Sequence, residues 1–87
     1  MEQLTLINGR FSQQEAENLL TDLIRTKISF HQRKISTVHH SEEEIKHSEA
    51  RIKELEESLR NMLTLVKQDP DAMIDIEADI KISKSNG

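Results

Sequence analysis

The sequence predicts a mainly helical protein: a long antiparallel helical hairpin flanked by a short N-terminal strand and an isoleucine-rich C-terminal strand. Apolar residues recur at helical spacing through the middle of the chain, and a serine followed three residues later by glutamate opens each of two helical stretches. Strict polar and apolar alternation follows the only proline. The 87 residues suffice for one small domain, 1–87.

A short strand is expected at the N-terminus. Residues 2–8 alternate weakly, with Leu4 and Leu6 on one side and Thr5 and Ile7 on the other. The following Asn8-Gly9 pair is typical of a turn, so it predicts the end of this strand.

The first helix is expected over about residues 12–38. Ser12 and Glu15 form a capping box, in which each side chain can accept a hydrogen bond from the backbone amide of the other residue. The apolar stripe of this helix contains Leu20, Ile24, Ile28, Ile35 and Val38, with His31 in its gap and Leu19, Leu23 and Phe30 widening it.

The second helix is expected over about residues 41–67. Ser41 and Glu44 repeat the capping box, and the residue before Pro70 avoids helical conformation. A coiled-coil seam with a 3.5-residue period consists of Ile45, Ile52, Leu59 and Val66 at one heptad position and Ser48, Leu55 and Met62 at the other.

One uninterrupted helix from Ser12 to Gln68 is the alternative, because neither glycine nor proline breaks the middle of the chain. The second capping box and the Ser/Thr-rich join favour two helices. A short connection makes them antiparallel neighbours. Charge supports this direction, since folding back places the basic late half of the first helix beside the acidic early half of the second.

The C-terminal segment, about residues 73–82, is expected to be a strand. Ile74, Ile76, Ala78, Ile80 and Ile82 alternate with charged residues, which is typical of a strand with one dry face. A third helix starting at Asp69-Pro70 is the alternative. Residues 83–87 are expected to form a flexible tail.

Composition argues against several classes of function. A net charge of −4 and an aromatic content of 2% disfavour nucleic-acid binding, which needs a basic face or stacking platforms. No segment has the apolar length of a signal peptide or membrane span, so a cytoplasmic protein without membrane contact is expected. The absence of cysteine excludes disulfides and thiolate metal sites.

Self-association is expected, because a single chain of this kind can bury only a small core. A homodimer, or a higher even oligomer, would close a four-helix bundle and give the marginal two-stranded ribbon a partner. The residues expected to form the oligomer interface are Leu20, Ile24, Ile28, Ile35, Ile45, Ile52, Leu55, Leu59, Met62, Val66, Ile74, Ile76, Ile80 and Ile82.

Two chemical hypotheses compete with this interpretation. The first is a metal-binding or metal-responsive module using His39, His40, Glu43 and His47, although helix-end imidazoles in a solvated turn explain these residues without a metal. The second is a small helical-bundle enzyme that acts on an anionic metabolite.

The enzyme hypothesis would use Arg25, His31 and Lys34, but solvated charges and a hydrogen-bonded core histidine are the simpler reading of these side chains. The sequence contains no recognised catalytic, cofactor or metal motif. We therefore expect a non-enzymatic protein without a cofactor, acting in protein–protein interaction, assembly or regulation with a partner that the sequence does not identify.

Overall fold

A helical hairpin and a two-stranded ribbon make up the structure, a computed structural model that describes residues 1–37 and 41–85. The elements are β1 (Glu2–Phe11), α1 (Gln13–Thr37), α2 (Glu42–Lys67) and β2 (Ile74–Ile82). The two helices form the antiparallel hairpin, and the two strands pair antiparallel at its open end. This arrangement confirms the predicted hairpin with a strand at each end.

Helix α1 begins at the predicted capping box. The Ser12 amide donates to Glu15 Oε1 at 2.9 Å, and the Glu15 amide donates to Ser12 Oγ at 3.2 Å. The hydrogen bond from the Ser12 backbone, followed by that from its side chain, lowers the pKa of Glu15. Ala16, in the first turn, is completely buried. Val38, the predicted end of the stripe, lies outside the described residues.

Helix α2 begins and ends close to its predicted bounds. Ser41 Oγ accepts from the Glu44 amide at 3.2 Å, and the Asp69 carboxylate accepts from the Asp71 amide in the turn that follows the helix. At the open end, Lys67 Nζ lies 3.2 Å from Glu17 Oε1. Two helices, rather than one continuous helix, are therefore present, and they run in opposite directions.

The C-terminal segment is a strand, as predicted, but the predicted turn at Asn8-Gly9 is wrong. Strand β1 continues to Phe11 and is ten residues long, with Asn8 opposite Glu77 and Gly9 opposite Ile76. Neither Asn8 nor Gly9 has the positive φ that the predicted turn would need. A Cβ at Gly9 would lie 3.4 Å from the Phe11 ring, an ordinary van der Waals contact, so the strand would accommodate a side chain there.

The predicted alternation of β1 is also wrong, because the register shifts between Thr5 and Ile7. This β-bulge inserts one extra residue at Leu6. Leu4 then lies opposite Ile80, and Ile7 lies opposite Ala78. Leu4 and Ile7 therefore share the side of the ribbon that carries the isoleucines of β2, whereas strict alternation would have placed them on opposite sides.

The core is small and lies mainly in the seam between the helices. The buried apolar residues of the described chain are Ile7, Ala16, Leu55 and Val66, and no large side chain is fully buried. The radius of gyration is 16.0 Å, compared with about 12 Å for a compact domain of this length. The single chain thus has a fixed topology and little interior.

Candidate interaction surface

The predicted interface residues differ widely in exposure. Leu55 and Val66 are buried within one chain, so they belong to the seam of the hairpin itself. Ile80 and Ile82, in the distal half of the ribbon, are exposed. The remaining predicted residues are half-buried: Leu20, Ile24, Ile28, Ile35, Ile45, Ile52, Leu59, Met62, Ile74 and Ile76.

One face of the hairpin carries the exposed apolar side chains of the helices. Successive residues of a helix turn by about 100°, so residues can be placed relative to the buried seam residues of their own helix. By this measure five side chains lie on the same side of the seam, and we call them the apolar face: Leu19, Leu23, Phe30, Met62 and Leu65. Phe30 is 47% exposed and Leu65 is 67% exposed.

The opposite face, which we call the charged face, is polar at its margins. Arg25, Glu56 and Arg60 line a shallow groove there, over a floor formed by Ile28, Leu59 and Leu63. The Glu17–Lys67 ion pair bridges the helices on the same side. No large apolar side chain described on this face is classed as exposed, so it is suited to contact with water.

The ribbon has a second apolar area at its distal end. Leu4 and Ile80 lie opposite each other in the register, and Ile82 follows on the same side of β2. Leu4 is 56% exposed and Ile82 is 63% exposed, whereas Ile7 is buried. The helices therefore cover the near half of the apolar ribbon surface and leave its distal half open.

His31 is the main polar group inside the seam. It is 9% exposed, and neither of its ring nitrogens has a hydrogen-bond partner. Its ring lies edge-on to that of Phe30, with the centroids 5.6 Å apart. Burial, followed by nearby positive charges, lowers the pKa of His31; the charged groups are Lys27, Arg51, Lys34 and His47. These conditions favour the neutral imidazole.

The candidate metal ligands are only partly within the described residues. Glu43 and His47 line a cleft of about 210 Å³ near the hairpin connection, together with Lys34 and Ser48. His39 and His40 lie outside the described residues. Across residues 1–37 and 41–85, no group of three His, Asp or Glu side chains is placed to hold one metal ion.

The residues of the enzyme hypothesis do not meet in one pocket. Arg25 lines the groove on the charged face, whereas Lys34 lines the cleft near the connection. His31 lies between the helices with its nitrogens shielded from solvent. The geometry therefore gives no shared site in which these three side chains could contact one anionic molecule.

Sequence reasoning omitted Phe30 and Leu65, the large exposed apolar residues of the described helices, from its list of interface residues. Leu65 directly precedes the seam residue Val66, so the heptad pattern assigns Leu65 to solvent. Leu19, Leu23 and Phe30 are spaced by four and seven residues, which is a second stripe on α1. That spacing was the available signal for the apolar face, whereas no simple pattern distinguishes Leu65 from an isolated surface leucine.

Neither helix in the described part of the chain has an apolar stretch long enough to cross a lipid bilayer. Comparison of the sequence and the fold with protein-family models, curated proteins and solved structures finds no match in any of the three.

Proposed function

We propose that this chain is a non-enzymatic, self-associating interaction protein, whose assembly or regulatory role depends on a homodimer that completes a four-helix bundle. The observation that carries the proposal is the surface area of the single chain. It exposes 7169 Å², whereas a compact monomer of its mass exposes about 5,300 Å².

The surplus, about 1,900 Å² per chain, is similar to what a stable dimer buries. Obligate homodimers remove roughly 2,000–5,000 Å² from water in total, counted over both partners. The apolar face and the distal ribbon would supply this area. Both include large apolar side chains that are half or more exposed, among them Leu65 and Ile82.

The small core supports the same proposal. Small natural domains with a limited core often add disulfides, metals or oligomerisation. This chain has no cysteine, and the four buried apolar residues of the described chain include the small side chain of Ala16. Association of two copies would enlarge the core by covering existing apolar surface.

The test is whether folding depends on protein concentration. When folding and dimer formation are coupled, a higher protein concentration stabilises the folded state by mass action. We expect the urea midpoint of the intact chain, followed by circular dichroism, to rise over a hundredfold increase in concentration. A midpoint that stays constant over that range, with a monomeric mass at both ends, would refute the proposal.

A further inference from the structure

We propose that the second copy packs on the apolar face, with the two-fold axis running across the hairpin, so that α1 of one chain lies antiparallel to α1 of its partner. This inference rests on the proposed dimer and specifies its surface and orientation. Among the large exposed apolar residues of the described chain, only Phe30 and Leu65 belong to helices, and both lie on this face.

The charged face presents polar groups that water can hydrate, whereas the apolar face presents hydrocarbon. On the charged face, the Glu17–Lys67 ion pair already spans the two helices. On the apolar face, the interaction that includes Phe30 stays within α1, where Lys27 Nζ lies 4.9 Å from the ring centroid. A partner that covers the apolar face would remove exposed hydrocarbon from water without breaking the interhelical ion pair.

Charge selects the orientation of the two copies. The cations around His31, namely Lys27, Lys34 and Arg51, all lie in the half of the hairpin near the connection. A two-fold axis along the hairpin would bring these groups level with the same groups of the partner. An axis across the hairpin between residues 24 and 25 separates the two Lys34 residues by about 28 Å along the helix at 1.5 Å per residue, which is beyond the Debye length of about 8 Å at physiological ionic strength. The two Lys27 residues, close to this axis, are about 7 Å apart along the helix.

The apolar side chains of α1 fit the crosswise axis. If the axis passes between residues 24 and 25, Phe30 of one chain meets Leu19 of its partner, and Leu23 meets Thr26. The equivalent contacts repeat on the other side of the axis, as an isologous interface requires. The same arrangement brings the ribbon of each chain next to the hairpin connection of its partner.

Substitutions of the two residues that flank His31 test whether the partner packs on the apolar face. Phe30→Glu places a carboxylate on the apolar face, and Gln32→Glu places the same group on the other side of the helix. We expect Phe30→Glu to raise the dimer dissociation constant on the order of 30-fold or more, as for a hot-spot residue, and Gln32→Glu to leave it nearly unchanged.

Leu65→Glu on α2 gives a second test of the face that does not disturb the contacts among Phe30, Lys27 and His31. Thr64→Glu, at an exposed position of α2 that is turned about 100° from Leu65, away from the apolar face, is its control. We expect only Leu65→Glu to weaken the dimer. A wild-type dimer that both Phe30→Glu and Leu65→Glu leave intact, with the helical content of each variant unchanged, would overturn the inference while preserving the proposed function.

Cross-linking tests the orientation, and the cysteine-free chain makes it specific. Two single-cysteine chains of different tag length, Leu19→Cys and Phe30→Cys, are refolded together and treated with a short bis-maleimide. The crosswise axis predicts a mixed cross-linked dimer and little product from either variant alone. The lengthwise axis instead predicts a product from Leu19→Cys with Leu65→Cys, because Leu65 is level with Leu19, and that result would overturn the inference.

Discussion

At the scale of single residues, His31 is the side chain whose environment most clearly lowers the stability of the fold. Its two ring nitrogens lack partners, while the side chain is buried between the helices. A buried polar group without a hydrogen bond costs about 1–3 kcal/mol. We expect His31→Leu to stabilise the protein by an amount in this range, measured by urea unfolding at neutral pH, and a loss of stability would contradict the assignment.

The same residue should make stability sensitive to acid. The pKa of His31 is lowered in the folded chain, whereas an unfolded histidine has a pKa of about 6.5. Stability is therefore unaffected above about pH 6.5 and falls as the pH drops below this value, because the unfolded chain then takes up the proton more readily.

We expect the loss of stability between pH 7.5 and pH 5 to be smaller in His31→Leu than in the wild type. The difference between the two isolates His31 from the carboxylates that also titrate in this range. Gln32→Leu, at an exposed position of α1 that does not titrate, is the control and should lose about as much stability as the wild type. Identical pH profiles for the wild type and His31→Leu would exclude this role of His31.

The capping box at Ser12 is a second residue-scale feature with a measurable effect. Removing its hydroxyl leaves the Glu15 amide without the 3.2 Å hydrogen bond. We expect Ser12→Ala to lower the free energy of unfolding by about 1 kcal/mol. Ser29→Ala, at an exposed position within α1, is the control and should have a smaller effect. Equal effects of the two substitutions would show that Ser12 does not act as a cap.

At the scale of elements, the stability of the ribbon depends on the face that carries the isoleucines of β2. Ile76 and Glu77 are neighbours in β2, but their side chains point to opposite sides of the strand, and only Ile76 is partly covered. We expect Ile76→Thr to destabilise the protein by about 1–3 kcal/mol. Glu77→Thr should stay within about 0.5 kcal/mol of the wild type. A similar thermal midpoint for both variants would mean that the ribbon does not contribute to folding.

The elements also show what sequence reasoning could establish. The helix bounds followed from the serines at positions 12 and 41 and from Pro70, since each of these acts within one turn of the chain. The continuation of β1 through Asn8-Gly9 did not follow, because it depends on pairing with β2. The bulge at Leu6 is likewise set by the partner strand.

The surface could be predicted only in part, for a similar reason. The heptad pattern identified the seam, which includes Leu55 and Val66. The alternation of the C-terminal strand could not distinguish an isoleucine that its own chain covers from one that stays exposed, such as Ile82, because exposure depends on how far the ribbon extends beyond the helices. Phe30 and Leu65 became prominent only after the seam had been located.

At the scale of the whole molecule, the proposed association follows from the elongated shape and the small core of the single chain. The radius of gyration and the exposed area both exceed the values for a compact monomer of this size. The apolar face and the distal ribbon contain large exposed apolar side chains, among them Phe30, Leu65, Leu4 and Ile82. A second copy on the apolar face would turn a two-helix seam into a four-helix core.

Sedimentation equilibrium of the intact chain at micromolar concentration tests this claim most directly. The chain has a mass of 10.1 kDa, so we expect a fitted mass of about 20 kDa for the homodimer, decreasing toward the single-chain value on dilution. A single ideal species of 10.1 kDa at all concentrations up to 100 times the lowest, with the helical circular dichroism retained, would contradict the account.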